Sequence, residues 1–399
     1  MTTIKELKAE MQLTLDQHIL NYWLQQMVDR EHGGFYGRAD GYGRIHPEAD
    51  KGAVLNARIL WAFSAAYRVT QNPDYLQAAT RAKDYLIGKF IDQEYGGVYW
   101  SLTYQGLPLD TKKQTYAIGF AIYGLSEYAR ATGDATALER AIALYRDIES
   151  HAFDKVNNGY TEALTQEWQP IDDMRLSNKD ENGAKTMNTH LHVLEPYTNL
   201  YRVWPDEGLR KQLQNLIDIF LDKIWNPHTY HLDLFFDEQW DGKRNVYSYG
   251  HDIEAVWLLH EAALVLGDKT VLDRVESVLP KIAKAAGEGL QPDGSLIHEH
   301  RTDNGRTDME RQWWVMCECI IGHIDLYQYF GDRRALDIAL RCWDYSKQQL
   351  IDHERGEWFW GRNEDGSINR DDDKAGFWKC PYHNSRLCLE LMERDIPEP

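Results

Sequence analysis

Three histidines, an arginine, a tyrosine and several carboxylates interrupt runs that are otherwise apolar. Asn188, His192 and Glu195 follow i, i+4, i+7 in "MNTHLHVLEPYTNLYR", so one helical face carries all three. His251, Glu254 and Trp257 follow i, i+3, i+6 in "GHDIEAVWLLHEA", and Trp314 and Glu318 are i, i+4 in "RQWWVMCECIIG". Arg58 and Tyr116 lie in the apolar runs "GAVLNARILWAFSAAY" and "YAIGFAIYGLSEYA", and His383 in "WKCPYHNSR". Burying such groups is costly unless they are paired or put to use. Imidazoles, with an unperturbed pKa of about 6.5, are the natural proton carriers near neutral pH. The chain has no phosphate loop, dinucleotide fingerprint or nucleophile elbow. A reaction that only moves protons fits this set. Epimerisation beside a carbonyl is one: a base removes the α-proton, an enediolate forms, and a proton returns to the opposite face. Arg58 is the candidate to hold the enediolate oxygen.

Each residue also has a plainer reading. His190 points away from His192 on a helix and reads as a hydrogen-bonded core residue. "HLH" is half of a metal site at best, because i, i+2 histidines chelate from a strand better than from a helix and no third ligand stands at a suitable spacing, so no metal is expected. Arg58 could snorkel past apolar neighbours. Glu254 and Glu318 could be paired structural carboxylates, Trp314 core packing, and Pro196 a helix kink. Two rival functions stay open. Glycoside hydrolysis needs two opposed carboxylates about 5–9.5 Å apart, which Glu254 and Glu318 could supply. A non-catalytic sugar-binding protein would use the aromatics, 14 Trp and 23 Tyr among them, but not the histidines.

The elements that must position these residues recur. Asp74, Asp134, Asp206, Asp268 and Asp332 each follow an apolar helical run and open another helix, at separations of 60, 72, 62 and 64 residues. They read as N-caps at helix-to-helix turns. A Gly- or Asp-rich stretch with aromatic alternation follows each second helix and reads as a short hairpin. The N-terminus supplies a sixth copy, a helix over 3–29 followed by "REHGGFYGRADGYGR", and further helices begin near residues 51, 112, 187, 249, 309 and 380. Such a period means repeated supersecondary units. The first helix lacks a partner before it and the last, 380–395, lacks one after it, so the two complete each other. The expected fold is all-α, an (α/α)6 barrel spanning 1–399 as one domain, with short hairpins at one end. Arg58, Tyr116, Asn188, His192, His251, Glu254, Trp314 and Glu318 lie 14–18 residues before their repeat aspartates. At about 1.5 Å per residue this places them near one mouth, with helix N-termini facing it. His383 would reach the same mouth from the sixth helix, with Pro381 in its first turn.

The formal net charge of −19 argues against nucleic acid or an anionic membrane as partner. The N-terminal stretch is charged and amphipathic with no apolar signal core, and no run approaches a membrane span. Five cysteines, all in the last quarter and in no CxxC pair, point to reduced thiols and a cytoplasmic protein, with Cys380 a packing residue. A monomer or weak homodimer is expected.

The long segments quoted above, with "DKGAVLNARILWAFSAAYR" and above all "DKAGFWKCPYHNSRLCLE", resemble the cellobiose 2-epimerases of the N-acylglucosamine 2-epimerase superfamily, over residues 50 to 390. The resemblance implies the same barrel, no cofactor, and epimerisation at C2 of the reducing-end sugar of a β-1,4-linked disaccharide. It makes His251 and His383 the acid/base pair, with Glu254 and His192 tuning them. Arg58, Tyr116, Asn188, Asp180 and Glu318 would bind sugar hydroxyls or the enediolate, while Trp314 and Trp378 would stack on the sugars. Trp257 joins them as a substrate-binding candidate on the His251 face. The N-acylglucosamine and mannose branches, which include aldose–ketose isomerases, share the fold and histidines and remain the alternative.

Overall fold

A computed structural model describes residues 3–177, 180–243 and 245–399. In chain order, α1 (Ile4–Leu13) and α2 (Asn21–Gln26), joined by a π-helical stretch, form one outer arm. Four hairpins follow: α3 (Ala53–Thr70) with α4 (Pro73–Tyr85), α5 (Thr115–Thr132) with α6 (Ala135–Asp147), α7 (Met187–Val203) with α8 (Glu207–Ile219), and α9 (Tyr249–Leu266) with the split arm α10 (Lys269–Glu276) and α11 (Leu279–Ala286). A fifth pairs α12 (Trp313–Phe330) with α13 (Arg333–Gln349), and α14 (His383–Glu393) ends the chain. α3, α5, α7, α9, α12 and α14 form the inner ring, buried along nearly their whole length. α14 packs between α12 and α3 inside and against α1 outside, so the (α/α)6 barrel closes. The backbone closes it too: Ala39 and Ala375 exchange N–H···O bonds at 2.7 and 3.1 Å.

Local chemistry fixes where each inner helix starts. Asp29, Asp92, Asp154 and Asp352 end outer arms, each accepting two backbone N–H groups of the following turn. The second oxygen of each pairs with a buried lysine that precedes an inner helix: Lys51 at 2.6 Å, Lys113 at 2.7 Å, Lys185 at 2.8 Å, and Lys374. One carboxylate thus holds both the turn and the next helix. These ion pairs are worth having because the turn N–H groups share the charge, without which burial would be unfavourable.

Four repeat aspartates cap as expected, Asp134, Asp206, Asp268 and Asp332. The first does not: Asn72 caps α4, accepting from the Asp74 N–H at 3.0 Å, because Pro73 occupies the first helical position. The helix expected from residue 380 begins at His383, and Pro381 lies outside it, its carbonyl accepting from Ser385 Oγ. α7 runs through Pro196 from Met187 to Val203. The proline leaves the His192 carbonyl without its helical donor, and Gly119 of α5 closes on that carbonyl, where a Cβ would come within 2.5 Å. No helix among the described residues is long and apolar enough to cross a membrane.

Candidate active site

Counting from the true caps brings the inner helices into register. Arg58, Phe120, His192, Glu254 and Glu318 each lie fourteen residues before the cap of their own turn, Asn72, Asp134, Asp206, Asp268 and Asp332. The sixth helix adds Arg386, which bonds to two of them. Of this layer, Arg58, His192 and Glu254 line a cavity of about 680 Å³ at the mouth where the inner helices begin, whereas Phe120, Glu318 and Arg386 do not. Arg58, Tyr116, Asp180, Asn188, His192, His251, Glu254, Trp314, Trp378 and His383 all line it.

Two imidazoles flank one indole. The Trp314 ring lies 4.7 Å from that of His251 and 5.8 Å from that of His383, between centroids. Its Nε1 donates to Gln312 Oε1 at 2.6 Å, which fixes the ring. His383 Nδ1 meets Glu318 Oε1 at 2.6 Å, and His251 Nδ1 meets Ser248 Oγ at 2.7 Å. In both rings Nδ1 is committed and Nε2 is left for a substrate. Burial pushes His383 down to about 3, against the pull of Glu318. Burial also takes His251 to about 3, with His192, His298 and His383 adding to the effect. Both are therefore neutral bases at neutral pH. The backing differs: an ionised carboxylate stabilises an imidazolium at His383, whereas a hydroxyl backs His251. His192 pairs through Nδ1 with Glu195 Oε1 at 2.7 Å, and burial lowers it as well.

Beneath the histidines sits Arg386, fully buried. Its Nη1 donates to Glu195 Oε2 at 2.5 Å and to Tyr382 Oη, and its Nη2 to Glu254 Oε1 and Glu318 Oε1, both at 2.7 Å. Burial raises Glu318, but Arg386 and His383 outweigh it and hold the carboxyl at about 2. Glu254 goes the other way: burial and the charge of Glu318 push it well up. The sequence predicts that Glu254 tunes the histidines, whereas among the described residues it is bonded by Arg386.

Arg58 donates to Tyr116 Oη at 2.8 Å and lies over the rings of Phe120 and Tyr382, 4.1 and 4.6 Å from their centroids. Its Nε is buried without a partner, as is Asn188 Oδ1. Trp378 forms an aromatic corner with Trp100 and Tyr116. Trp257, expected at the substrate, does not line the cavity. It is fully buried, its Nε1 donating to Glu318 Oε2 at 2.9 Å and its face covering Arg386. At i+6 from His251 the helix has turned it away from the cavity. Glu318 likewise stands behind His383 rather than on the lining. His190 is a core residue, bonded to Thr186 O and the Tyr160 N–H.

Several residues escaped the sequence reading. Arg386 sits i+3 from His383, the spacing that could have found it. Glu162 accepts from the Thr186 N–H and Thr189 Oγ1 at the start of α7, and burial pushes it up to about 8. Ser248 is i−3 from His251. Trp313 and Trp360 add a second aromatic wall. Among the described residues, one group has metal-like spacing, Glu254, Glu318 and His383, with ligand atoms within 4.8 Å. The Arg386 guanidinium already bonds both carboxylates of that group, so it holds a cation of the protein's own.

The arrangement can take a proton from one face of a carbon and return one to the other, with Arg58 beside the developing oxyanion. The chain is similar to known proteins along nearly its whole length. The N-acylglucosamine 2-epimerase (GlcNAc 2-epimerase) family matches residues 34–386. The cellobiose 2-epimerase of Bacteroides fragilis is 60% identical over 386 residues, 97% of this chain and 98% of that protein. That of Ruminococcus albus is 38% identical over 389 residues, 97% of this chain and 99% of that one. The solved cellobiose 2-epimerase of Bacillus thermoamylovorans B4167 superposes with a TM-score of 0.93 at 41% identity, covering 98% of this chain and 100% of that one.

Proposed function

Because the chain belongs to the N-acylglucosamine 2-epimerase family, we propose that it epimerises C2 of the reducing-end sugar of β-1,4-linked disaccharides, converting cellobiose to 4-O-β-glucosyl-mannose. It is an isomerase of the carbohydrate 2-epimerase type. Lactose and mannobiose are further substrates in this reading.

The observation that carries it is the pair of neutral, differently backed imidazoles flanking Trp314. One removes the C2 proton of the ring-opened sugar. His383 suits that step, since Glu318 stabilises the imidazolium formed. Arg58 holds the enediolate oxygen, assisted by Tyr116. His251 serves the opposite face: with the enediolate anion beside it, its imidazole takes a proton from solvent and as imidazolium delivers it to C2, while His383 releases the abstracted proton to solvent, and the two exchange roles in the reverse direction. Asn188 and Asp180 bind hydroxyls from the cavity wall, and Trp378 supports the second sugar. Residues 1–399 act as one catalytic domain. Five unpaired, buried cysteines support a cytoplasmic setting.

Hydrolysis fits less well. It needs one free carboxylate on each side of a glycosidic bond, with room for water at the larger separation. Glu318 instead spends both oxygens on Arg386, His383 and Trp257. The test is cellobiose incubated with EDTA-treated protein. Glucosyl-mannose without free glucose supports epimerisation; free glucose without the epimer would replace it with hydrolysis, and unchanged cellobiose would leave a binding protein.

A further inference from the structure

Three carboxylates from three helices converge on one guanidinium. Glu195 of α7, Glu254 of α9 and Glu318 of α12 all bond Arg386 of α14, and all four side chains are fully excluded from solvent. One buried cation cannot neutralise three buried anions. Uncompensated buried charge is costly, and carboxylates forced together in such a place retain a proton. The other groups facing Arg386 do not supply the missing positive charge: Tyr116 and Tyr123 on α5, Tyr382 on α14, and the neutral imidazoles of His192, His251 and His383. Arg58 of α3 adds one cation, stacked on Tyr382, and an excess of one anion remains.

The hydrogen bonds decide which acid keeps the proton. Glu318 accepts from Arg386, Trp257 and His383. Glu195 accepts from Arg386 and Tyr382 and pairs with His192. Glu254 accepts from Arg386 alone, and its Oε2 is buried with no partner. Donors stabilise an ionised carboxylate, so the charge belongs on Glu318 and Glu195 and the proton on Glu254.

We propose that Arg386 is a positioning residue that apportions these protons, keeping Glu318 and Glu195 ionised behind His383 and His192 and leaving Glu254, a cavity-lining residue, as a neutral acid. Its upward shift agrees with this geometry. The arrangement matters because an ionised Glu254 would repel the enediolate, whereas its neutral form can donate to the oxyanion. The proposal rests on the epimerase reading for its chemical purpose, but the charge assignment is measurable without turnover.

Infrared difference spectra of the intact enzyme at neutral pH compare wild type with Glu254→Gln. A protonated-carboxyl C=O stretch present in wild type and missing from the variant is expected; no such band in wild type overturns the proposal. In parallel, Arg386→Lys retains one positive charge but loses the fork. Its kcat is expected to fall about a hundredfold, with the acid limb of the kcat–pH profile moving up by roughly one unit or more as Glu318 loses its partner. A fall equal at every pH, with the limb unmoved, would show Arg386 to be merely structural. If Arg386→Lys does not fold, the infrared comparison decides alone. The band without epimerase activity would uphold the charge assignment and remove the functional reading.

Discussion

His251 and His383 are held well below their ordinary pKa by burial, and this has a cost visible in stability. Between about pH 3 and 6.5 the unfolded imidazoles are protonated and the folded ones are not. The unfolded state then binds more protons, so stability rises with pH through that window and is lost as pH falls. Each histidine contributes a slope of up to about 1.4 kcal/mol per pH unit. Urea denaturation of His251→Asn between pH 5 and 6.5 should show a flatter slope than wild type; an unchanged slope would contradict the buried neutral imidazole. For catalysis, His251→Ala and His383→Ala should each cut epimerisation by about 10²–10⁴-fold while far-UV circular dichroism stays native. Near-normal turnover in either variant would remove that residue from the mechanism. The three histidines were legible because a basic ring at helical spacing inside an apolar run has few cheap explanations. Arg386 was not, since an arginine near a chain end ordinarily means a surface. Only the convergence of α7, α9 and α12 makes it a buried hub, and that convergence is tertiary. Trp257 failed for the converse reason: a sixth-residue step on a helix looks close in sequence but has rotated away from the cavity.

The hairpins, rather than the helices alone, set the height of every functional residue. Asn72 shows how much one cap matters: counting from it instead of Asp74 puts Arg58 at the same level as His192, Glu254 and Glu318. Asn72→Ala should therefore cost about 1 kcal/mol in urea denaturation, and Asp74→Ala much less. Equal costs would show that capping at this turn is shared. The buried aspartate–lysine pairs were invisible in the sequence, because partners 21 to 31 residues apart across a loop leave no periodic trace. Below α14 the same device recurs with a glutamate. Glu357 takes bonds from Lys379, Asn384 and Trp23, joining the last hairpin, the closing helix and the first arm. Lys379 and Glu357 are both fully buried. Glu357→Gln should destabilise by about 3–5 kcal/mol by stranding the lysine charge, and Lys379→Met in addition should recover part of the loss. A fully additive double variant would mean the pair is not coupled.

At the scale of the molecule, six similar units close into a ring, and the ring rather than any unit makes the site. Arg58 is the first residue in chain order to line the cavity, and His383 the last. Residues before Arg58 matter because α1 covers α14 and Ala39 bonds Ala375. A chain lacking residues 1–27 should lose activity and solubility although it keeps every cavity residue; soluble, active truncated protein would refute closure. The repeat count and the pairing of first and last helices were readable from spacing alone. The depth of the cavity was not, as it depends on which side chains the ring brings face to face. The central claim is a proton exchanged at C2 by that ring of residues, and cellobiose incubated in D2O measures it directly. One deuterium at C2 of the reducing-end sugar in both epimers, with the glycosidic bond intact, is the predicted result. Epimer formed with no deuterium at C2 would contradict it.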